Sequence, residues 1–318
     1  MTDGRSLEDR LADADWEIRR DAVRELAALD DPAAWQCYTV ALINLLKELA
    51  PTVQSLVIDM LVRLGEPALV TLLDHPDGDN AGMRGGMAKA FGAFGDVRAM
   101  PRLLRWLADD NAYVRTSAAI ALGDVGDESA VPALARRVDD EDEFARRFAV
   151  VALAKIGGEG IPLVAERMRH PDAQVRRDVA QALAGCQDAR AVPALIEGLG
   201  DEDDAVRSQS AFALTRVGDE RAIPALIACL RRDRMPRVRS HSAWALAEIG
   251  GDSAVPDLIH SLSDTSMVDW DRTVRDSVVA ALRIIKTPLA LAALEAWQSG
   301  KGFRPTRFLA EWEAEHGG

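Results

Sequence analysis

The stretch "NAYVRTSAAIALGDVGDESAVPAL" at residues 111–134 decides the fold, because "DAVRSQSAFALTRVGDERAIPAL" at 204–226 repeats its grammar. Counting from Val114, the apolar residues Ala118, Ala121, Leu122 and Val125 lie along one helical stripe. Gly126-Asp127 then stops the helix. Pro132 follows, tolerated in the first turn of a second helix because its missing N–H would have been unpaired there anyway. That second helix ends at the acidic turn "DDED", residues 139–142.

Two anchors carry this unit outward along the chain. The arginine of a V-R pair recurs at Arg84, Arg115, Arg146, Arg176, Arg207, Arg239 and Arg275, with weaker copies at Ile18-Arg19 and Val53-Gln54. A proline recurs at Pro101, Pro132, Pro162, Pro193, Pro224, Pro256 and Pro288. Both series advance by about 31 residues, the length of a repeat of two helices. One such pair cannot bury its apolar stripes alone, so neighbouring pairs must stack. The sequence therefore predicts an all-α, right-handed α-solenoid of about nine helical pairs over 1–318. A cap and first repeat occupy 1–50, the array 51–297 and a capping segment 298–318. In that last segment Phe308, Leu309 and Trp312 are expected to cover the final pair. Repeat 3 carries glycines at 82, 85, 86 and 92, so its helix is either loose or closely approached.

Composition narrows the function. Apolar residues make up 48% of the chain and aromatic residues 5%, which suits closely packed helices. The net charge of −13 works against attraction to nucleic acid or anionic lipid. The three cysteines, Cys37, Cys186 and Cys229, form no disulfide framework and no CxxC site. The polar N-terminus and the lack of a long apolar stretch make a cytoplasmic protein, neither secreted nor membrane-spanning, the expectation.

The Pro-started helix, acidic turn, V-R helix and G-x-[IV]-G-D stop together resemble the HEAT-like repeat of the phycobilisome-lyase type, over roughly residues 5–297. The resemblance implies that the V-R helices line the concave side of the array. It also implies that Arg84, Arg115, Arg146, Arg176, Arg207, Arg239 and Arg275 form a structural ladder with acidic turn residues of adjacent repeats.

Function is then sought where the repeat leaves residues free. On the V-R helices those positions are Tyr113, Ser117 and Ile120 in repeat 4, and Phe144, Phe148 and Val151 in repeat 5. Repeat 6 offers Gln174, Asp178 and Gln181; repeat 7 Ala205, Gln209 and Phe212; repeat 8 Arg237, His241 and Trp244; repeat 9 Thr273, Ser277 and Ala280. An aromatic-poor chain thus places Tyr113, Phe144, Phe148, Phe212 and Trp244 on one expected surface. Arg147, Arg177, Arg237 and His241 are expected to supply polar contacts around them. The competing expectation is that neighbouring helices bury these aromatics as extra core.

No catalytic, metal or cofactor site is expected. The five histidines form no HxxxH, HExxH or His-Glu pattern, and the repeat-3 glycines lack the G-K-[ST] ending of a phosphate cradle. The acidic clusters fall in interhelical turns, where capping accounts for them. A protein-binding scaffold without enzymatic activity, gripping a protein or peptide, is the expected function. Tetrapyrrole handling of the lyase kind, nucleic-acid binding and self-association are the alternatives.

Overall fold

The computed structural model describes residues 5–48, 50–78, 80–300 and 302–316. The outermost residues of the two capping segments, 1–4 and 317–318, lie outside the described residues, as does Lys301. The fold is an α-solenoid: helices and short 3₁₀ turns, with one isolated β-bridge, Met267–Thr273, among the described residues. The V-R helices of repeats 1 to 9 are Trp16–Ala28, Pro51–Leu64, Ala81–Phe94, Ala112–Val125, Glu143–Ile156, Ala173–Cys186, Asp204–Val217, Pro236–Glu248 and Val274–Ile285.

Local chemistry sets their ends. The side chains of Asn80, Asn111, Asp142, Asp172 and Asp203 each accept a first-turn amide, a cap worth about 1 kcal/mol. Gly95, Gly126 and Gly218 stop their helices in the left-handed conformation, with φ of 66°, 75° and 71°. Gln187 and Lys286 occupy the same conformation after repeats 6 and 9, without a glycine's freedom.

The chain gathers into two compact units, one up to Gly160 and one from Ile161. In the first, the V-R helices of repeats 2 to 5 stack side by side around Val57, Met60, Phe91, Leu122 and Leu153, each fully buried. Repeat 3 is a complete helix, and its glycines serve close approach. A Cβ on Gly85 would strike the Tyr113 ring, and one on Gly86 would strike the Leu46 carbonyl oxygen. Gln54, which stands where the next repeats have arginine, is buried and donates to the Leu46 and Glu48 carbonyls at 2.8 and 3.2 Å.

The second unit stacks the V-R helices of repeats 6 to 9 over an aliphatic core that includes Val179, Ala211, Leu214, Ala243 and Leu282. The C-terminal helix Pro305–His316 departs from the expected placement, because it packs chiefly on Val255–Ser261, the outer helix of repeat 8. Gly300 and Gly302, both at φ 66°, let the chain turn back. Leu309 is buried beneath this helix, while Phe308 and Trp312 are half-buried and stack on each other at 6.3 Å.

Candidate protein-binding face

The arginine series occupies one edge of each stack. Arg115 Nε and Nη2 donate to the two carboxylate oxygens of Asp140 at 2.9 and 2.8 Å, while its Nη1 donates to the Asp109 and Asp110 carbonyls at 3.0 Å each. Arg84 with Asp109, Arg176 with Asp201, Arg207 with Asp233 and Arg239 with Asp264 form the same two-pronged pair. Each carboxylate also accepts the backbone amide two residues on, which fixes the turn into the next V-R helix.

Burial acts to raise the carboxyls of Asp109, Asp140, Asp201 and Asp264. Hydrogen bonds from arginine and from the turn amides outweigh it and hold all four below the ordinary carboxylate range.

Two of the seven arginines differ. Arg146 donates to the Asp140 carbonyl at 2.7 Å. Arg275 donates to the Leu262 carbonyl at 2.8 Å and lies over the Trp297 ring at 5.9 Å. These are backbone and aromatic contacts in place of the carboxylate fork. Where the other turns carry the acceptor aspartate, repeat 6 has His170, whose Nδ1 accepts the Asp172 amide.

The free positions sort by depth. Ser117, Asp178 and Ser277, assigned to the open face from sequence, are 1%, 8% and 1% exposed. Stacking closes the middle position in these three repeats, whereas Phe148, Gln209 and His241 at the same position stay half-buried. Tyr113 is half-buried against Gly85, with the Lys89 ammonium 5.0 Å from its ring centre, so it belongs partly to the repeat 3–4 contact. In the first unit the open face is left to Phe144, 61% exposed, with Ile120, Arg147, Phe148 and Val151 half-buried.

In the second unit Phe212 is 44% exposed and Trp244 half-buried. Arg177 is engaged by Asp203 at 3.0 and 2.5 Å, whereas Arg237 is exposed and donates to Asp269 at 3.1 Å. His241 lies 5.8 Å from the Phe212 ring, and its Nδ1 meets the Ser208 carbonyl at 3.0 Å. Burial, reinforced by the Arg237 and Arg272 charges, pushes its pKa below the ordinary imidazole range; the Ser208 hydrogen bond opposes this. The surroundings of His241 thus favour the uncharged form of its ring.

A depression of about 540 Å3 opens here, bounded by Gln209, Arg237, His241, Met267, Asp269 and Arg272. Its outer wall is the insertion before repeat 9, where Trp270 is 90% exposed. Trp270 lies outside every repeat position, so a reading built on the repeat does not select it. The available signal was a tryptophan set among turn-forming residues. Among the described residues no group of three His, Cys, Asp or Glu could hold a metal ion, and no helix is long and apolar enough to cross a membrane.

The family model for HEAT repeats matches overlapping windows from residue 39 to residue 304. No curated protein matches the chain by sequence. Among solved structures, yeast importin-β in the Kap95:Nup1 complex is similar with a TM-score of 0.60 at 14% identity, over 90% of this chain and 46% of that one. The Escherichia coli protein YibA is similar at 0.51 and 20% identity, over 77% and 91% of the two chains. The CpcE–CpcF phycocyanin lyase complex of a Nostoc species gives 0.39 at 20% identity, over 88% and 92%.

Proposed function

We propose that this chain, which belongs to the HEAT-repeat family, is a non-enzymatic scaffold that holds a protein or peptide against the open face of its V-R helices. The observation that carries this reading is the exposure of Phe144 and Phe212, at the first and third free positions of their V-R helices, one in each unit. The buried core of each unit is built from other residues and flanked by the arginine pairs. Covering a phenylalanine side chain returns about 1.5–3 kcal/mol when burial is complete. Large apolar anchors beside polar groups are the pattern of a binding hot spot. The likeness in fold to importin-β, a solenoid that occurs in complex with Nup1, supports a protein partner.

The test is native co-purification with mass spectrometry, comparing wild type with Phe144→Ala/Phe148→Ala and with Phe212→Ala/Trp244→Ala. A specific protein lost from either variant, with the melting temperature retained, supports the face. Unchanged co-purifying proteins, or variants that fail mainly by unfolding, reject it. Visible absorbance in the wild-type preparation would instead favour tetrapyrrole handling.

A further inference from the structure

The insertion "SDTSMVDWDRT", residues 263–273, is the place where the repeat gives way to a different element. It is a tight turn. Met267 bridges Thr273, and the Val268 and Asp269 amides both donate to the Arg272 carbonyl, at 2.8 and 3.3 Å. Trp270 stands at its tip, 90% exposed, and Met267 at its base is 54% exposed. A single exposed apolar residue needs no explanation. Here two further features adjoin it: the 540 Å3 depression between this turn and the repeat 7 and 8 helices, and a local reversal of charge.

The reversal lies in "RRDRMPRVR", residues 231–239, with five arginines and one aspartate in a chain of net charge −13. Arg231 and Arg239 are engaged within the fold, by Asp257 and Asp264. Arg237 is not absorbed in this way. It shares Asp269 with Arg272, one hydrogen bond each at 3.1 and 2.9 Å, and their side chains remain 60% and 48% exposed. Asp269 thereby orients two guanidinium forks at the rim of the depression, a geometry suited to carboxylates. The His241 ring and Met267 line the depression beside these forks, and Asp204 is the other carboxylate on its wall.

We infer that repeats 7 to 9 form a docking site for an acidic, extended segment of a partner protein. Carboxylates of that segment pair with Arg237 and Arg272, and Trp270 closes over an adjoining apolar side chain. This rests on the protein-binding reading above and narrows it to one partner chemistry.

The test is to pan a display library of random peptides, about twelve residues long, on the intact chain. Enriched sequences are resynthesised and their affinities measured at low and high salt. Enrichment of Asp or Glu beside Leu, Phe or Trp is expected. Binding of those peptides should fall at least about tenfold in Trp270→Ala and in Arg237→Ser/Arg272→Ser, with melting temperatures unchanged. No enrichment, enrichment of basic or uncharged peptides, or acidic peptides whose affinity survives both variants overturns the assignment. If the peptides are sensitive only to Phe144→Ala/Phe148→Ala, the general protein-binding reading stands and this site falls. Concentration-dependent mass abolished by Trp270→Ala would make the occupant a second copy of the chain and would likewise overturn it.

Discussion

Arg115 and Asp140 stand 25 residues apart in sequence and meet through two hydrogen bonds, of 2.9 and 2.8 Å, where they are 5% and 6% exposed. The same guanidinium closes the turn that precedes its own helix through the Asp109 and Asp110 carbonyls. One side chain thus joins two successive turns, so its loss affects both stacking and the entry angle of a helix.

Arg115→Ala should cost about 2 kcal/mol or more, because it leaves a buried carboxylate with only Arg137 and the Asp142 amide and unties two carbonyls. Arg146→Ala, which loses a bond to the Asp140 carbonyl, should cost less. Urea denaturation of the two variants beside wild type measures the difference. Equal losses would mean that the carboxylate fork adds nothing to the turn contact.

Acid should weaken the array through these pairs. Asp109, Asp140, Asp201 and Asp264 have folded pKa values below their unfolded ones, and the Arg177 hydrogen bonds hold Asp203 at about 2. For a depressed carboxyl the stabilisation is fully present above the unfolded value of about 4 and disappears as pH falls through the folded value. The melting temperature should change little on going from neutral to mildly acidic solution and drop steeply below about pH 4. Scanning calorimetry across that range tests the sign.

The glycines of repeat 3 and of repeat 6 should respond oppositely to the same substitution. Gly85→Ala and Gly86→Ala drive a methyl group into the Tyr113 ring and the Leu46 carbonyl, and both should destabilise. Gly185 lies in a helix with open space around it, so Gly185→Ala should stabilise by up to about 1 kcal/mol. Thermal melts of the three variants decide whether close approach or flexibility explains the repeat 3 glycines.

His241 should titrate below the ordinary imidazole value of about 6.5 when followed by NMR. Burial is the main cause, so Arg237→Gln should raise the value only in part. Because the folded pKa is depressed, the contribution of the neutral ring is present above the unfolded value and lost as pH falls toward the folded one. A titration at or above the model-peptide value would place His241 in water.

Particular residues show how far the sequence could be read. Val114, Ala118 and Leu122 recur at fixed spacing, and periodicity with a glycine stop suffices to place a helix and its buried stripe. The acidic turns were equally legible, since capping depends on neighbours in the chain. Ser117 and Asp178 were misplaced because a helical wheel describes one helix alone, while their burial is set by the helix beside it. Tyr113 likewise reads as an exposed aromatic until Gly85 is seen beneath its ring. Trp270 escaped for the opposite reason: a reading built on repetition gives least weight to a residue that occurs once.

From Asp233 to the next ladder arginine, Arg239, is six positions; from Asp264 to Arg275 is eleven. The carboxylate of each pair lies upstream of this interval, and Arg239 reaches Asp264 over the same 25-residue span as Arg115 reaches Asp140. Added length in this interval therefore leaves the pairing before it undisturbed. A lineage that grows by copying one unit acquires there a position where novelty can be tried with the preceding pair intact, the change falling on the arginine that follows, since Arg275 bonds the Leu262 carbonyl instead of one six residues back. A foreign loop grafted into the same interval in repeats 4 and 7 would keep the Arg84–Asp109 and Arg176–Asp201 pairs and put the carbonyl bonds of Arg115 and Arg207 at stake.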